Sequence, residues 1–381
     1  MTFFGIEIRR PQVFGGLLLL ALALEAVLAS YTTPLSSDEI QALSRSVEIT
    51  ASIKPELRKD PVTDSILMYR VTRIFEPWFD QRHEQKPLPP GEPTQPGPPQ
   101  PQATRLLSAL YRLPFVIFGL WLGGALWWVS RRLFNNEGGY VALALFCLSP
   151  LVIRFSSSVN AEIIASWGLF GIVYTAIGVG HTLYSPPRRW PPRIVLLGLA
   201  FGFTAAAHLG AALLGIVLAI FFMLYLSPPD RKPAAMAVLA VALVVASVFL
   251  WGCYGWNTSL LKSFSQAGQA LRPTIPKGDV FMTWFQFPNL PTAALIAGAL
   301  AIFLAWKRTR YFGNWTPLLV IALLSLLQFP GSWPVIWMAP FAFVFVGGIA
   351  ADLLESKYRG WAQAVIFVMV ATQVVLVFWL R

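Results

Sequence analysis

The chain has 381 residues, of which 56% are hydrophobic and only 12% charged, with 15 Trp and 28 Phe. A soluble domain carries about 25% charged residues, so a water-soluble enzyme or binding module is excluded. The net charge of +11 does not indicate nucleic acid, because the cations sit in short connections between apolar runs, where they set membrane orientation.

Apolar runs of bilayer-crossing length recur along the whole chain. They predict an all-α polytopic membrane protein with about eleven transmembrane helices. The spans fall near 12–30, 110–130, 138–155, 161–183, 194–208, 211–227, 234–254, 291–306, 315–329, 334–353 and 361–380. Five regions follow. Residues 1–30 are an N-terminal tip and first helix, and 31–104 a large extracytoplasmic loop. Residues 105–254 are the main transmembrane module, 255–290 a second outer loop, and 291–381 the C-terminal helices.

The basic clusters are Arg9-Arg10, Arg131-Arg132, Arg188 with Arg189 and Arg193, Arg231-Lys232, Lys307 with Arg308 and Arg310, and Lys357 with Arg359. All fall on one side if every span crosses. The positive-inside rule then places the N-terminus in the cytoplasm and the C-terminus and large loops outside, in the plasma (inner) membrane. His208, Leu209 and Gly210 interrupt the apolar stretch 194–227, which we read as two short helices meeting at the outer surface. The first span resembles a signal peptide in having Arg9-Arg10 before it and Val27-Leu28-Ala29 near its end. We read it as an uncleaved anchor, because its removal would break the parity of the other spans.

The loop 31–104 holds ten of the eighteen acidic residues, with eight Lys and Arg beside them. Ser36 and Glu39 match a capping box, and Ile40, Leu43 and Val47 form an apolar stripe along a predicted helix over 40–53. A helix of this kind lies along the membrane surface. Ser65 to Phe79 reads as a second surface helix, with Ile66, Tyr69, Ile74 and Phe75 on its apolar side. From Lys86 to Pro101 the chain is a proline-rich tether. In the loop 255–290, Ser259 to Leu271 reads as a short amphipathic helix, and an aromatic cluster at 281–287 suits a headgroup interface.

The polar residues of the outer face are the candidate site. Asp38 and Glu39 follow the first span closely, where a membrane enzyme would place a base. Their plain alternative is to cap a helix and offset its dipole. Glu25 is an acidic residue inside the first span, which suggests function or a bond to a neighbouring helix. Arg154, Asn160 and Glu162 cluster where the third and fourth spans meet. His208 stands at the apex of the interrupted stretch, and Arg272 and Lys277 carry positive charge in the second outer loop. Cys147 and Cys253 lie within spans and behave as small hydrophobes. The three histidines form no metal-ligand pattern. Acidic and basic groups on one wet face of an apolar bundle suit a substrate with a phosphate head and a lipid tail.

Three motifs lie within residues 104–170. They are Arg105-Leu106 with Ser108, then Arg131-Arg132-Leu133-Phe134, then Leu148-Ser149-Pro150-Leu151. Together with the acidic pair after the first span, they resemble the GT-C superfamily of membrane glycosyltransferases. The likeness is to the family-39-type branch of protein O-mannosyltransferases and aminoarabinose transferases, and is best over 12–230. It implies a GT-C-like bundle and a polyprenyl-phosphate-linked sugar donor. It also implies an extracytoplasmic glycan, lipid or protein hydroxyl as acceptor, and inversion at the anomeric carbon. Asp38 matches the family's base, with Glu39 beside it. His208 stands where relatives bear a phosphate-binding residue, which Arg272 or Lys277 would assist. No metal or nucleotide is required by such a donor.

The chain also departs from that pattern. Asn160 and Glu162 replace a common Asp, and Gly331-Ser332-Trp333-Pro334 replaces a common Arg-Tyr. A non-catalytic GT-C-like subunit that scaffolds a membrane-protein partner is therefore the second reading. A secondary transporter is the third; the chain has no internal repeat to favour it.

Overall fold

The computed structural model describes residues 2–3, 6–7, 10–50, 65–75, 101–184, 190–256, 274, 278–286, 288–327, 329 and 334–379. Apart from a two-residue antiparallel pairing of Thr2–Phe3 with Ile6–Glu7, the described residues form helices and their connections. Seven helices among them are long and apolar enough to cross a membrane, and three apolar helices are shorter.

The first helix, α1, runs Arg10–Thr32, and α2 follows at Ser37–Thr50. A short α3 spans Ile66–Thr72. The long α4, Pro101–Cys147, breaks at Phe134 and Asn135, where Asn135 takes a positive φ of 64°. Asn135 tolerates this region better than most residues. Its side chain stabilises the break by accepting from the Glu137 amide at 2.9 Å and donating to Glu355 at 2.9 Å. The predicted span 138–155 is therefore not one helix. It is the last part of α4 and a separate α5, Pro150–Ser156, started by a proline in its first turn, where a missing N–H does no harm.

Two central helices follow from composition. One is α6, Glu162–Thr182, and the other is α13, Pro334–Leu354. Both are apolar around their whole circumference, which marks a helix surrounded by others. The most apolar window of α13 is 94% buried. It lies along α4, where Gly347 and Gly138 allow close backbone approach: a Cβ on Gly347 would stand 2.6 Å from the Gly138 carbonyl. Small residues at such a crossing are the usual route to helix association in lipid.

On the other side of α6 lie α7 (Pro191–Ala207), α8 (Leu209–Leu226) and α9 (Lys232–Cys253). The sequence expectation of two helices meeting at His208 holds, since His208 alone separates α7 from α8 in extended backbone. The segment 255–290 contains α10, Gly278–Phe285, so the aromatic cluster read near 281–287 is helical over 281–285. The periphery is α11 (Leu290–Ala305), α12 (Phe312–Leu326) and α14 (Arg359–Trp379).

The α2 stripe expected at a membrane surface is exposed at Ile40 and Val47, while Glu39, Ser46 and Ile49 on the adjoining face are buried against the protein. The docked face is offset by one residue because Glu39 is held from beneath, as described below. One expectation is corrected: over its described residues, 65–75, the second predicted surface helix does not lie on a surface. Ile66, Leu67, Met68 and Tyr69 are all buried in α3, and Ile74 is exposed. The helix is seated against α2, α4, α7 and α9, so apolar residues at four successive positions are covered. Arg70 ties it there by donating from Nε to the Cys253 carbonyl at 3.1 Å. The tether, the predicted helix 259–271, Arg272, Lys277 and residues 331–333 lie outside the described residues.

Candidate functional site

One buried junction organises one end of the bundle. Arg112, on α4, is 2% exposed, and Glu39, on α2, is 4% exposed. Arg112 donates from Nε to Glu39 Oε1 at 2.8 Å and from Nη2 to Oε2 at 2.6 Å. This is the two-pronged geometry in which a guanidinium best matches a carboxylate. The remaining Arg112 donors reach the carbonyls of Ser30 (3.0 Å), Thr33 (2.6 Å) and Pro34 (3.0 Å). Those carbonyls end α1 and begin its exit, where a helix leaves acceptors unmatched. All five N–H groups of the guanidinium are thus used.

Glu39 is equally saturated. Its Oε1 also accepts from the Val159 amide at 2.9 Å, and its Oε2 from the Ser36 amide at 2.8 Å. The Glu39 amide donates back to Ser36 Oγ at 3.2 Å, which completes the predicted capping box. With four donors on two oxygens, the carboxylate has no acceptor position left. Burial by itself would raise its pKa. The Arg112 hydrogen bond, the two amides and the Arg112 charge outweigh burial and lower it below its ordinary value. A carboxylate so held is a positioning residue, unsuited to collecting a proton.

Asp38 is next in the chain and is exposed. Its backbone is fixed by the Glu39 junction while its side chain faces outward. The acidic pair therefore divides: one member anchors α2, the other is presented on its first turn.

The bond from Val159 brings the turn between α5 and α6 to the same place. Asn160 holds that turn: its amide donates to the carbonyls of Phe155 (2.8 Å) and Ser158 (3.0 Å) and to Ser158 Oγ (2.8 Å). Its Oδ1 accepts from the Ile163 amide at 3.1 Å, which satisfies one of the free amides in the first turn of α6. Glu162 opens α6 and is buried, whereas Arg154 on α5 is exposed. Asp38, Glu39, Arg154, Asn160 and Glu162 thus gather at one end of the bundle.

His208 stands at the same end of α6. Thr204 lies directly against Gly168, so one turn beyond Thr204 brings His208 close to the level of Glu162. It is buried and caps α8, with Nδ1 accepting from the Ala211 amide at 3.3 Å. A nitrogen that accepts carries no proton, so the ring is neutral in this arrangement and Nε2 is its donor. Trp337 and Phe329 meet the ring edge-on, with centroids 4.8 and 6.4 Å away. Glu25, in α1, is half-buried.

Below the junction runs a row of aromatic side chains. Trp121 of α4 lies 5.5 Å from Trp167 of α6, which lies 5.1 Å from Phe203 of α7, which lies 4.4 Å from Phe249 of α9. Trp121 also walls an open apolar cleft of about 550 Å³ between α1 and α4, with Leu20, Ala23 and Gly124. Among the described residues, no group of three His, Cys, Asp or Glu side chains gathers as metal ligands would.

Arg112 was not among the residues expected at the site. Its one signal in the sequence is an arginine just inside an apolar span. The aromatic row was likewise not expected, since its four members come from four helices.

These elements define a multi-pass, all-α membrane protein with a polar junction at one end of its bundle. No protein-family model matches the chain, and no curated protein matches it.

Proposed function

We propose that the protein is an integral-membrane glycosyltransferase of GT-C type. It moves a sugar from a polyprenyl-phosphate donor to an extracytoplasmic hydroxyl, with inversion. The observation that carries this reading is the division of the acidic pair. Glu39 is locked by Arg112, and Asp38 is held exposed on the adjoining residue. A base needs a fixed backbone and a free carboxylate, and Asp38 has both.

In this reaction the acceptor oxygen bonds to the anomeric carbon as the sugar–phosphate C–O bond breaks. The bonding electrons leave with polyprenyl phosphate, and the acceptor proton passes to Asp38. Arg154, the Nε2 proton of His208, and Arg272 or Lys277 are the donors available to the departing phosphate. The lipid tail lies in the α1–α4 cleft and along the row from Trp121 to Phe249. The finer topology belongs to this reading: about eleven crossings, N-terminus in the cytoplasm, C-terminus and both large loops outside, in the plasma membrane.

One observation favours a second reading, a non-catalytic subunit that scaffolds a membrane-protein partner. Glu39, Asn160 and His208 direct their polar atoms at the chain's own backbone. The two readings separate on Asp38→Asn. Membranes carrying this variant are assayed for transfer from a radiolabelled polyprenyl-phosphate sugar, with gel filtration to verify folding. Loss of transfer in a monodisperse variant supports the enzyme. Transfer equal to wild type removes Asp38 as the base.

A further inference from the structure

A second cleft lies far from the polar junction. It is an apolar crevice of about 340 Å³ floored by Val141 and Ile349 and walled by Gly298 and Ile302 on α11 and Trp361 and Met369 on α14. At one end the two walls are joined: Gln373 donates to Thr292 Oγ1 at 3.2 Å in a buried contact. The helices are antiparallel, and the crevice occupies the length on the other side of that bond. Its open end coincides with the last turn of α11 and the first turn of α14.

That end is basic. Lys307, Arg308, Lys357 and Arg359 are all exposed there, against Glu355, which pairs with Arg308 at 3.5 Å. Aromatic rings hold two of the cations at the rim. Lys357 Nζ lies 5.2 Å from the Tyr358 ring centre, and the Arg308 guanidinium 5.8 Å from that of Trp306. Trp361 is 78% exposed at the same rim, the placement of a ring at a headgroup boundary.

We propose that this crevice is a binding site for one anionic phospholipid, with an acyl chain between α11 and α14 and its phosphate on Lys357 and Arg359. The crevice walls are apolar and the rim carries an excess of cations, so the two halves of the site match the two halves of such a lipid. Basic pockets between transmembrane helices recognise anionic headgroups in this way. The inference stands apart from the sugar-transfer reading and uses none of its residues.

The test is native mass spectrometry of the full chain in detergent, titrated separately with dioleoyl-phosphatidylglycerol and dioleoyl-phosphatidylcholine. The wild type should bind the anionic phosphatidylglycerol preferentially. Lys357→Ala and Arg359→Ala should each weaken that binding about five-fold, the share expected of one cation near a lipid surface, while phosphatidylcholine binding stays put. Gly298→Phe should abolish retention of both lipids. A Cβ there meets nothing within 4 Å, so the larger side chain fills the crevice without a clash at its root. Equal binding of the two lipids by the wild type overturns the proposal, as does wild-type binding by a folded Gly298→Phe chain. Should that variant fail to fold, the exposed charge variants decide alone: an unchanged preference overturns the site.

Discussion

Arg112 and Glu39 meet through two parallel hydrogen bonds of 2.8 and 2.6 Å, each side chain almost wholly shielded from solvent. The pair joins the end of α1, the start of α2, the body of α4 and the turn before α6. It decides where the one exposed carboxylate beside it is held.

Removing one partner should be severe. Arg112→Met leaves a buried carboxylate without its counter-charge, a loss of about 3–5 kcal/mol. Thermal unfolding in mild detergent measures it. The double variant Glu39→Leu with Arg112→Met carries no buried charge and should recover part of that loss, the Ser36 and Val159 amides having lost their acceptor. A single Arg112→Met variant that melts like wild type would show the pair to be unimportant.

Acid should act through the same pair. The folded-state pKa of Glu39 lies below its ordinary 4.5. Its contribution to stability is therefore complete above that ordinary value and is lost as pH falls through the lower, folded-state value. Melting temperature should be level between about pH 5 and pH 8 and should fall below that range. In Glu39→Gln the acid-dependent step should shrink, from a lower starting stability. An identical acid profile in the two proteins contradicts the assignment.

Asp38 and Glu39 should part company in a stability assay. Asp38→Asn touches an exposed side chain and loses only its favourable place near a helix N-terminus, at most about 1 kcal/mol. Glu39→Gln disturbs four hydrogen bonds. Similar shifts in melting temperature from both substitutions would erase the distinction drawn between them.

His208 should matter first as a cap. His208→Ala removes the bond to the Ala211 amide, about 0.5–2 kcal/mol, and leaves space against Trp337. Asn at this position retains a capping oxygen, so His208→Asn should recover the capping share and not the packing share. Equal melting of the Ala and Asn variants would show that the cap contributes nothing.

The crossing of α4 and α13 admits no side chain at Gly347. Gly347→Ala places a methyl 2.6 Å from a backbone carbonyl, and helix separation should cost about 1–3 kcal/mol. Unchanged melting would show that the helices can part freely.

Much of the architecture was legible in the residues themselves. The hydrophobic runs gave most helix positions because a bilayer-length apolar segment has few alternatives. The interruption at His208 and the capping box at Ser36 and Glu39 were both readable, being local signals a few residues long. Docking is where local pattern fell short. Ile40 and Val47 form the predicted stripe and stay exposed, and the face that α2 turns inward is set by Arg112 binding Glu39. The segment from Ile66 to Tyr69 looked like half of an amphipathic helix and is enclosed on several sides instead.

Composition and periodicity determined that this chain is helical and belongs in a membrane, since burying apolar groups and satisfying backbone polar groups leaves lipid-spanning helices as the solution. They also determined that Asp38 and Glu39 start a helix. Only the tertiary structure separated their roles. That separation depends on an arginine 73 residues away in sequence and an amide 120 residues away. Sequence spacing carries no record of such contacts, because they are made when helices pack and not when they form.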